Sequence, residues 1–269
     1  MGNKQLVNYQ LPSKKFTNKL ILNGIIFASI SAICYYLNFY PWIIFSEFHF
    51  LKDLIGEMFP PSLTIFWDNS AIFTSILQTL AMAFLGTFFG CGIGTFLAFI
   101  SANNVMPNKY IRNIIKFILT VIRVIPSLVV ILIFVITVGP GSFAGLLTLF
   151  VITIGTFGKL LTEVLENSDL KPSEAIFSVG ATNLQVIRFS IIPQILPAFI
   201  TNFLYSFDLN MRVSIGLGIF GGGGIGYKLY LAMRVLHYKD ALALIACIVL
   251  MVLIIESVSN FLRLKIVEN

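Results

Sequence analysis

The sequence predicts an all-α integral membrane protein with about six transmembrane helices and both termini in the cytoplasm. Three observations predict it. First, 57% of the 269 residues are hydrophobic and only 11% are charged, whereas a soluble domain carries about a quarter Asp, Glu, Lys and Arg. Second, the apolar residues are gathered into long runs, as a lipid-facing chain requires, and mean hydropathy is +0.92. Third, the basic residues between the runs are biased to one side.

A span needs roughly 20 apolar residues to cross about 30 Å of hydrocarbon. The first candidate, Leu20 to Tyr40, is uncharged and follows Lys4, Lys14, Lys15 and Lys19. It is long and lacks an A-x-A cleavage site, so it reads as an uncleaved anchor. The second, Ser70 to Ile100, carries Gly86, Gly90, Gly92 and Gly94; small residues at four-residue spacing let helices approach closely in lipid. The third runs from Arg112 to Val138 and contains Arg123 and Pro126. The fourth covers Phe143 to Leu161, and the fifth covers Ile195 to Phe220 with Asp208 and Arg212 inside it. The sixth covers Ala241 to Leu262, with Glu256 near its end.

Orientation follows the basic residues at the span ends. With the N-terminus inside, the inner side holds Lys14, Lys15, Lys19, Lys109, Arg112 and Lys116 among others, and the outer side only Lys52, Lys228, Arg234 and Lys239. Trp42 and Trp67 then bracket the first outer loop at the level of an aromatic belt. The chain divides into a cytoplasmic tail (1–19), a first transmembrane helix with its outer loop (20–69), and a main transmembrane domain (70–269). Cys34, Cys91 and Cys247 all lie inside apolar runs and form no disulfide framework. His49 and His237 lack ligand spacing, so no metal site is expected. The net charge of +6 is spent on membrane orientation, and no nucleic-acid partner is expected.

A polar cytoplasmic stretch separates spans four and five, from about Thr162 to Ser190. Pro172 suits the first turn of a short helix, and Glu174 suits the same positively polarised end. Gly180 stops that helix in a left-handed conformation. Thr182 and Gln185 form a capping-box pattern that starts another helix leading to Pro193. The expectation is two short helices in an elbow on the cytoplasmic face.

Glu174-Ala175, then Gly180 and Pro193, resembles the EAA loop of ABC importer permeases, with Ile176, Ser190 and Ile192 departing from the family pattern. The runs Gly180-Ala181-Thr182 to Pro197-Ala198 and Tyr205 to Arg212, then Gly218 to Gly226 and Leu231 to Tyr238, are similar to phosphonate-type permeases. So is Arg123-Val-Ile-Pro126. The resemblance covers about Ser70 to the C-terminus. It implies a type I ABC importer permease of the bacterial inner membrane, with residues 162–190 as the coupling loop and Glu174, Ala175, Gly180 and Pro193 as its marks. It also implies a cytoplasmic ATPase dimer docked on that loop, an extracytoplasmic solute-binding protein and a permease homodimer. Methionine importers share the glycine-rich stretch, so an importer for another small solute stays open, as does an ion-coupled secondary transporter.

The stretch Gly216-Leu-Gly218-Ile-Phe-Gly221 matches the dinucleotide fingerprint only formally, because a membrane span and no strand precedes it. Gly221, Gly222, Gly223, Gly224 and Gly226 form either a gate that breaks span five near its outer end or a flexible outer loop. No Walker A pattern occurs, so no cofactor is expected on this chain and ATP would be used by the partner subunit. Arg123 sits mid-span, where an arginine costs about 2.5–3.5 kcal/mol. Asp208 and Arg212 are spaced for an ion pair on one helical face. Arg123 then meets either Asp208 or a transported anion, and Arg123, Asp208 and Arg212 are the candidate substrate pathway. Glu163, Glu166 and Glu256 read as solvated at the cytoplasmic boundary. No catalytic constellation is present, so the chain is expected to be a transport subunit and not an enzyme.

Overall fold

A computed structural model describes residues 14–38, 46–68 and 70–267. Lys4, most of the N-terminal tail and Trp42 lie outside the described residues. The chain divides after Gly56 into two units. The first contains α1 (Lys14–Tyr36) and most of α2 (Phe48–Met58). Within α1, Ile21–Tyr36 is apolar, about 24 Å of helix at 1.5 Å per residue. Asn38 follows at φ 51°, a left-handed residue just past the end of the helix.

The second unit holds α3 (Ile65–Asp68), α4 (Ser70–Ser101), α5 (Lys109–Val124), α6 (Ser127–Val138) and α7 (Ser142–Glu166). These are followed by α8 (Lys171–Ser178), α9 (Asn183–Val186), α10 (Ile192–Leu217), α11 (Gly224–Arg234) and α12 (Tyr238–Val267). Two π-helical turns, Ile187–Ile191 and Gly218–Gly222, flank α10. No strand occurs among the described residues. Among the described residues, four helices are long and apolar enough to cross a membrane, and a bent pair makes five. The expected fifth span begins earlier than the hydropathy run. It is helical from Asn183 to the kink at Phe220 and Gly221, roughly 55 Å long, well over the hydrocarbon thickness of about 30 Å. A large part of it therefore extends beyond the lipid core.

The expected third span is not one helix. It breaks into α5 and α6, which meet at 87°. Proline lacks the amide hydrogen that would continue the helix and forces the residue before it out of the helical region. Accordingly Ile125 lies at φ −67°, ψ 123° and Pro126 at φ −60°, ψ 138°, both extended. The break also separates two compositions. Helix α5 carries Lys109, Arg112, Lys116 and Arg123 at helical spacing on one face, whereas α6 is apolar from Leu128 to Ile136. Asn108 starts α5 as its N-cap, its Oδ1 accepting from the amides of Tyr110 and Ile111 at 3.0 and 3.3 Å.

Between helices that are apolar on every side, hydrophobicity does not choose the contact face, and small residues do. Helices α4 and α7 meet along the predicted glycine stripe. A Cβ on Gly90 would lie 2.6 Å from Thr153 Cβ, and one on Gly86 would lie 2.7 Å from Leu149 Cβ. Gly94 faces the backbone of Gly158, whereas Gly92 has nothing within 4 Å. Around the seam lie the buried Cys91, Ala98, Phe157, Leu161 and Ile195, with Phe199 edge-on to Phe157 at 5.4 Å. A second cluster gathers Ile72, Ala83, Met211, Ile225 and Leu244.

Candidate functional sites: the elbow, the glycine turn and the charged seam

The elbow forms as its residues dictate. Helix α7 runs on to Glu166, past the expected Leu161, before the chain turns. Pro172 occupies the first turn of α8 with Glu174 beside it, and Gly180 follows at φ 87°. The amide of Gly180 donates to Phe177 O at 3.0 Å. Thr182 and Gln185 then close a capping box on α9, the Thr182 amide donating to Gln185 Oε1 at 2.8 Å. Pro193 stands at the start of α10, where the π turn Ile187–Ile191 runs into it. Ala175 accepts through its carbonyl from Ser178 Oγ at 2.8 Å. Glu174 lines, with Asn104, Ser173, Phe177, Asn183 and Val186, a cavity of about 420 Å³. Apolar side chains of the elbow are open: Phe177, Val179 and Leu184 are 58%, 83% and 78% exposed.

The root of the elbow, by contrast, is tied down. Gln194 brackets Asp169, accepting from its amide at 3.1 Å and donating to its carbonyl at 3.3 Å. Ser173 and Ser190 hydroxyls meet at 2.8 Å, joining α8 to the π turn. Glu166, expected to be solvated, instead accepts from Lys116 Nζ at 2.6 Å and from the Asn103 amide at 2.9 Å. Glu163 pairs with Lys159 at 3.7 Å. Nothing in the sequence pairs Glu166 with Lys116 across 50 positions; only tertiary packing does so.

The glycine stretch is a packed reversal. Gly221, Gly223 and Gly224 take φ of 93°, 72° and 70°, open at no steric cost only to glycine. A Cβ on Gly226 would collide with Ile215 O, so α11 folds back directly against the end of α10. The Gly141 amide donates to Gly221 O at 2.7 Å and the Ile225 amide to Thr79 Oγ1 at 2.9 Å, fastening the turn to the α6–α7 connection and to α4. No strand precedes it, as a dinucleotide fold would need.

The charged residues are arranged differently from the expectation. Asp208 and Arg212 do not pair with each other. Arg212 Nη2 donates to Glu256 Oε2 at 2.9 Å, whereas Asp208 accepts from Ser259 Oγ at 3.0 Å and faces Arg263 at 3.9 Å. Glu256, Ser259 and Arg263 share one face of α12 at i, i+3 and i+7, and the register shows that α10 and α12 run antiparallel. Two cross-helix partners replace one intrahelical pair. Arg123 lies in the last turn of α5 at the Pro126 break, exposed, and makes no ion pair or hydrogen bond among the described residues. The structure does not bring it onto Asp208.

One polar site was not foreseen. Asn210, 4% exposed, donates through its Nδ2 to Thr87 Oγ1 at 2.8 Å and Thr153 Oγ1 at 2.7 Å. Each threonine hydroxyl in turn donates to its own helix, at Ala83 O and Leu149 O. A single amide thereby joins α4, α7 and α10 in the core. A polar amide inside a membrane span was the available signal.

The family described as "binding-protein-dependent transport system inner membrane component" matches residues 94–266. The chain is 30% identical over 241 residues to the phosphite transport system permease protein PtxC of Stutzerimonas stutzeri, covering 89% of this chain and 86% of that relative. It is 35% identical over 219 residues to the putative phosphite transport system permease protein HtxC of the same organism, covering 81% and 77%. It is 32% identical over 217 residues to the phosphate-import permease protein PhnE of Mycolicibacterium smegmatis, covering 81% and 40%. Among solved structures, a chain of the MetNI methionine ABC transporter in an inward-facing conformation superposes with TM-score 0.66 at 20% identity, covering 76% of this chain and 99% of that one.

Proposed function

The chain belongs to the binding-protein-dependent transport system inner membrane component family, and from that premise we propose that it carries a phosphorus oxyanion (phosphonate, phosphite or phosphate) through the bacterial inner membrane. It is an ABC importer permease of type I fold and has no enzymatic activity of its own. The cargo assignment rests on one observation, the 30–35% identity over more than four-fifths of the chain to permeases named for phosphite.

The elbow takes up the cytoplasmic ATPase. Its support is the contrast between the exposed Phe177, Val179 and Leu184 and a root held by hydrogen bonds. Such a surface accepts a partner without yielding to it. Two copies of the chain form the pathway, each with an ATPase subunit on its elbow, and an outer binding protein delivers the cargo. ATP is consumed by the ATPase dimer, and closure of that dimer draws the elbows together. The glycine turn serves as the outer gate, supported by its bonds to both the α6–α7 connection and α4.

Arg123 and Arg212 line the route, with Asp208 holding the α10–α12 seam through Ser259 and Arg263. The Arg212 and Glu256 side chains are 51% and 45% exposed, and charges in membrane spans turn to a water-filled cavity or to protein and not to lipid. Tyr205, Leu209, Arg212 and Gly216 form one stripe at helical spacing on the exposed side of α10. A guanidinium offers a planar fork that matches two oxygens of an oxyanion. The paired Glu256 keeps the affinity low, as a site that must release its cargo requires.

The test is competition. With the ATPase and binding protein present, uptake of labelled phosphite should be blocked by methylphosphonate or phosphate and untouched by methionine. Blocking by methionine alone would keep the importer and remove the oxyanion cargo, along with the roles given to Arg123 and Arg212.

A further inference from the structure

Glu166 is the last residue of α7, where the membrane helix gives way to the elbow. One of its carboxylate oxygens collects two donors, Lys116 Nζ at 2.6 Å and the Asn103 amide at 2.9 Å, and Lys116 donates also to Asn103 Oδ1 at 3.3 Å. Both charged side chains are about three-quarters buried, at 25% and 23% exposure. A pair so screened from water keeps a stronger attraction than a surface pair. Next to it, Asn104 Nδ2 donates to Leu165 O at 2.5 Å and to Ser168 Oγ at 3.2 Å, so the α4–α5 connection grips the chain on both sides of Glu166. Above this, α5 lies against α7 with no side chain intervening on the α7 side. A Cβ on Gly158 would lie 2.8 Å from Leu119 Cδ2, and one on Gly155 would lie 2.8 Å from the backbone nitrogen of Arg123. Two residues after Arg123, the helix hydrogen-bond ladder stops at Ile125–Pro126 and the chain turns by 87°.

We propose that Lys116 and Glu166 are positioning residues that make α5 travel with the elbow as one body, so that a displacement applied at α8 is delivered to the Pro126 bend and to Arg123. The pair acts through the two helices it joins. Its effect is to remove slack between the end of α7 and the middle of α5, which a glycine seam without a charged lock would leave free to slide. This inference rests on the reading that the elbow receives the ATPase.

The experiment uses the full complex with ATPase and binding protein in proteoliposomes. It compares wild type with Lys116→Glu, Glu166→Lys and the exchange Lys116→Glu/Glu166→Lys. Three quantities are read for each: ATPase co-purification, ATP hydrolysis, and phosphite moved per ATP. Each single variant should keep docking and hydrolysis within about twofold while phosphite per ATP falls on the order of tenfold, and the exchange should restore most of it. A wild-type ratio in the single variants, or an exchange that folds with the wild-type unfolding temperature and restores nothing, overturns the proposal.

A second arm covers variants that fold poorly. Cysteines at 116 and 166, on a background lacking Cys34, Cys91 and Cys247, are joined by a short cross-linker. Transport should survive the link, because the pair stays closed through the cycle, and its loss would contradict the single-body motion. Gly180→Pro separates the two readings. If it docks the ATPase normally, the elbow reading fails and the latch falls with it. If it loses docking while Lys116→Glu keeps its coupling ratio, the latch alone fails.

Discussion

Arg212 on α10 holds Glu256 on α12 at 2.9 Å, one turn away from the point where Asp208 accepts from Ser259. The guanidinium is thus neutralised by a neighbouring helix and not by the aspartate four positions back. Half-exposed pairs contribute only about 0–1 kcal/mol to stability. Glu256→Gln and Arg212→Gln should therefore leave the unfolding temperature in nanodiscs nearly unchanged. Arg212→Gln should nevertheless lower phosphite uptake by on the order of tenfold, the equivalent of about 1.4 kcal/mol. Undiminished uptake with normal complex assembly would remove Arg212 from the route.

Asn210 is a stability determinant of the opposite kind. Its amide is buried and satisfies two threonine hydroxyls on two helices. Asn210→Ala should cost about 1–3 kcal/mol, the range for a lost buried hydrogen-bonding partner. Asn210→Asp should cost more, because a carboxylate would present acceptors to hydroxyls that already donate to Ala83 and Leu149. Thermal unfolding of the purified permease, read by tryptophan fluorescence or by loss of the monodisperse peak, measures both. An Asp variant as stable as wild type would show that this junction does not bear on the fold.

The glycine turn gives a graded series. Gly226→Ala meets the carbonyl of Ile215, a backbone atom that cannot give way. It should lower folded yield sharply, at a cost of about 1–3 kcal/mol or more. Gly221→Ala meets a side chain and not backbone, Val135 Cγ2 at 3.3 Å, which must give slightly, and it must adopt φ 93°. It should cost about 1–2 kcal/mol. Gly216→Ala, with nothing within 4 Å, should be neutral within the protomer. Equal effects at all three positions would argue against the packing described.

At the elbow, Gly180→Ala should cost about 1 kcal/mol through its left-handed backbone and leave α8 in place. Gly180→Pro should cost docking, because it forces φ near −65° where 87° is needed and removes the amide that donates to Phe177 O. Glu174→Ala should likewise weaken ATPase co-purification more than membrane insertion. Normal docking in both Gly180→Pro and Glu174→Ala would remove the elbow from the ATPase interface.

Local chemistry made some of this legible beforehand. Pro172, Gly180 and the Thr182–Gln185 box act on their own neighbours, so the two short helices and the turn between them follow from residues within a few positions. The Gly86–Gly90–Gly94 stripe is also local, since spacing alone places it on one face. The bend at Pro126 was misjudged for a different reason. Hydropathy sums composition over a window and is blind to the extended backbone that the Ile125-Pro126 pair imposes. The partners of Asp208, Arg212 and Glu166 depend on which helix packs beside which. The i,i+4 rule offered a plausible local partner for Asp208, and a distant helix supplied better-placed ones. Asn210 sits between Asp208 and Arg212 with no local feature that sets it apart, and its joining of α4, α7 and α10 becomes visible only once those helices meet.

The most direct measurement is accumulation of labelled phosphite in proteoliposomes holding the permease, its ATPase and its binding protein, with and without ATP and with the ion gradient collapsed. The account predicts uptake that requires ATP and both partner proteins and is indifferent to the gradient. Uptake that continues without ATP and vanishes with the gradient would contradict it and make the chain an ion-coupled carrier.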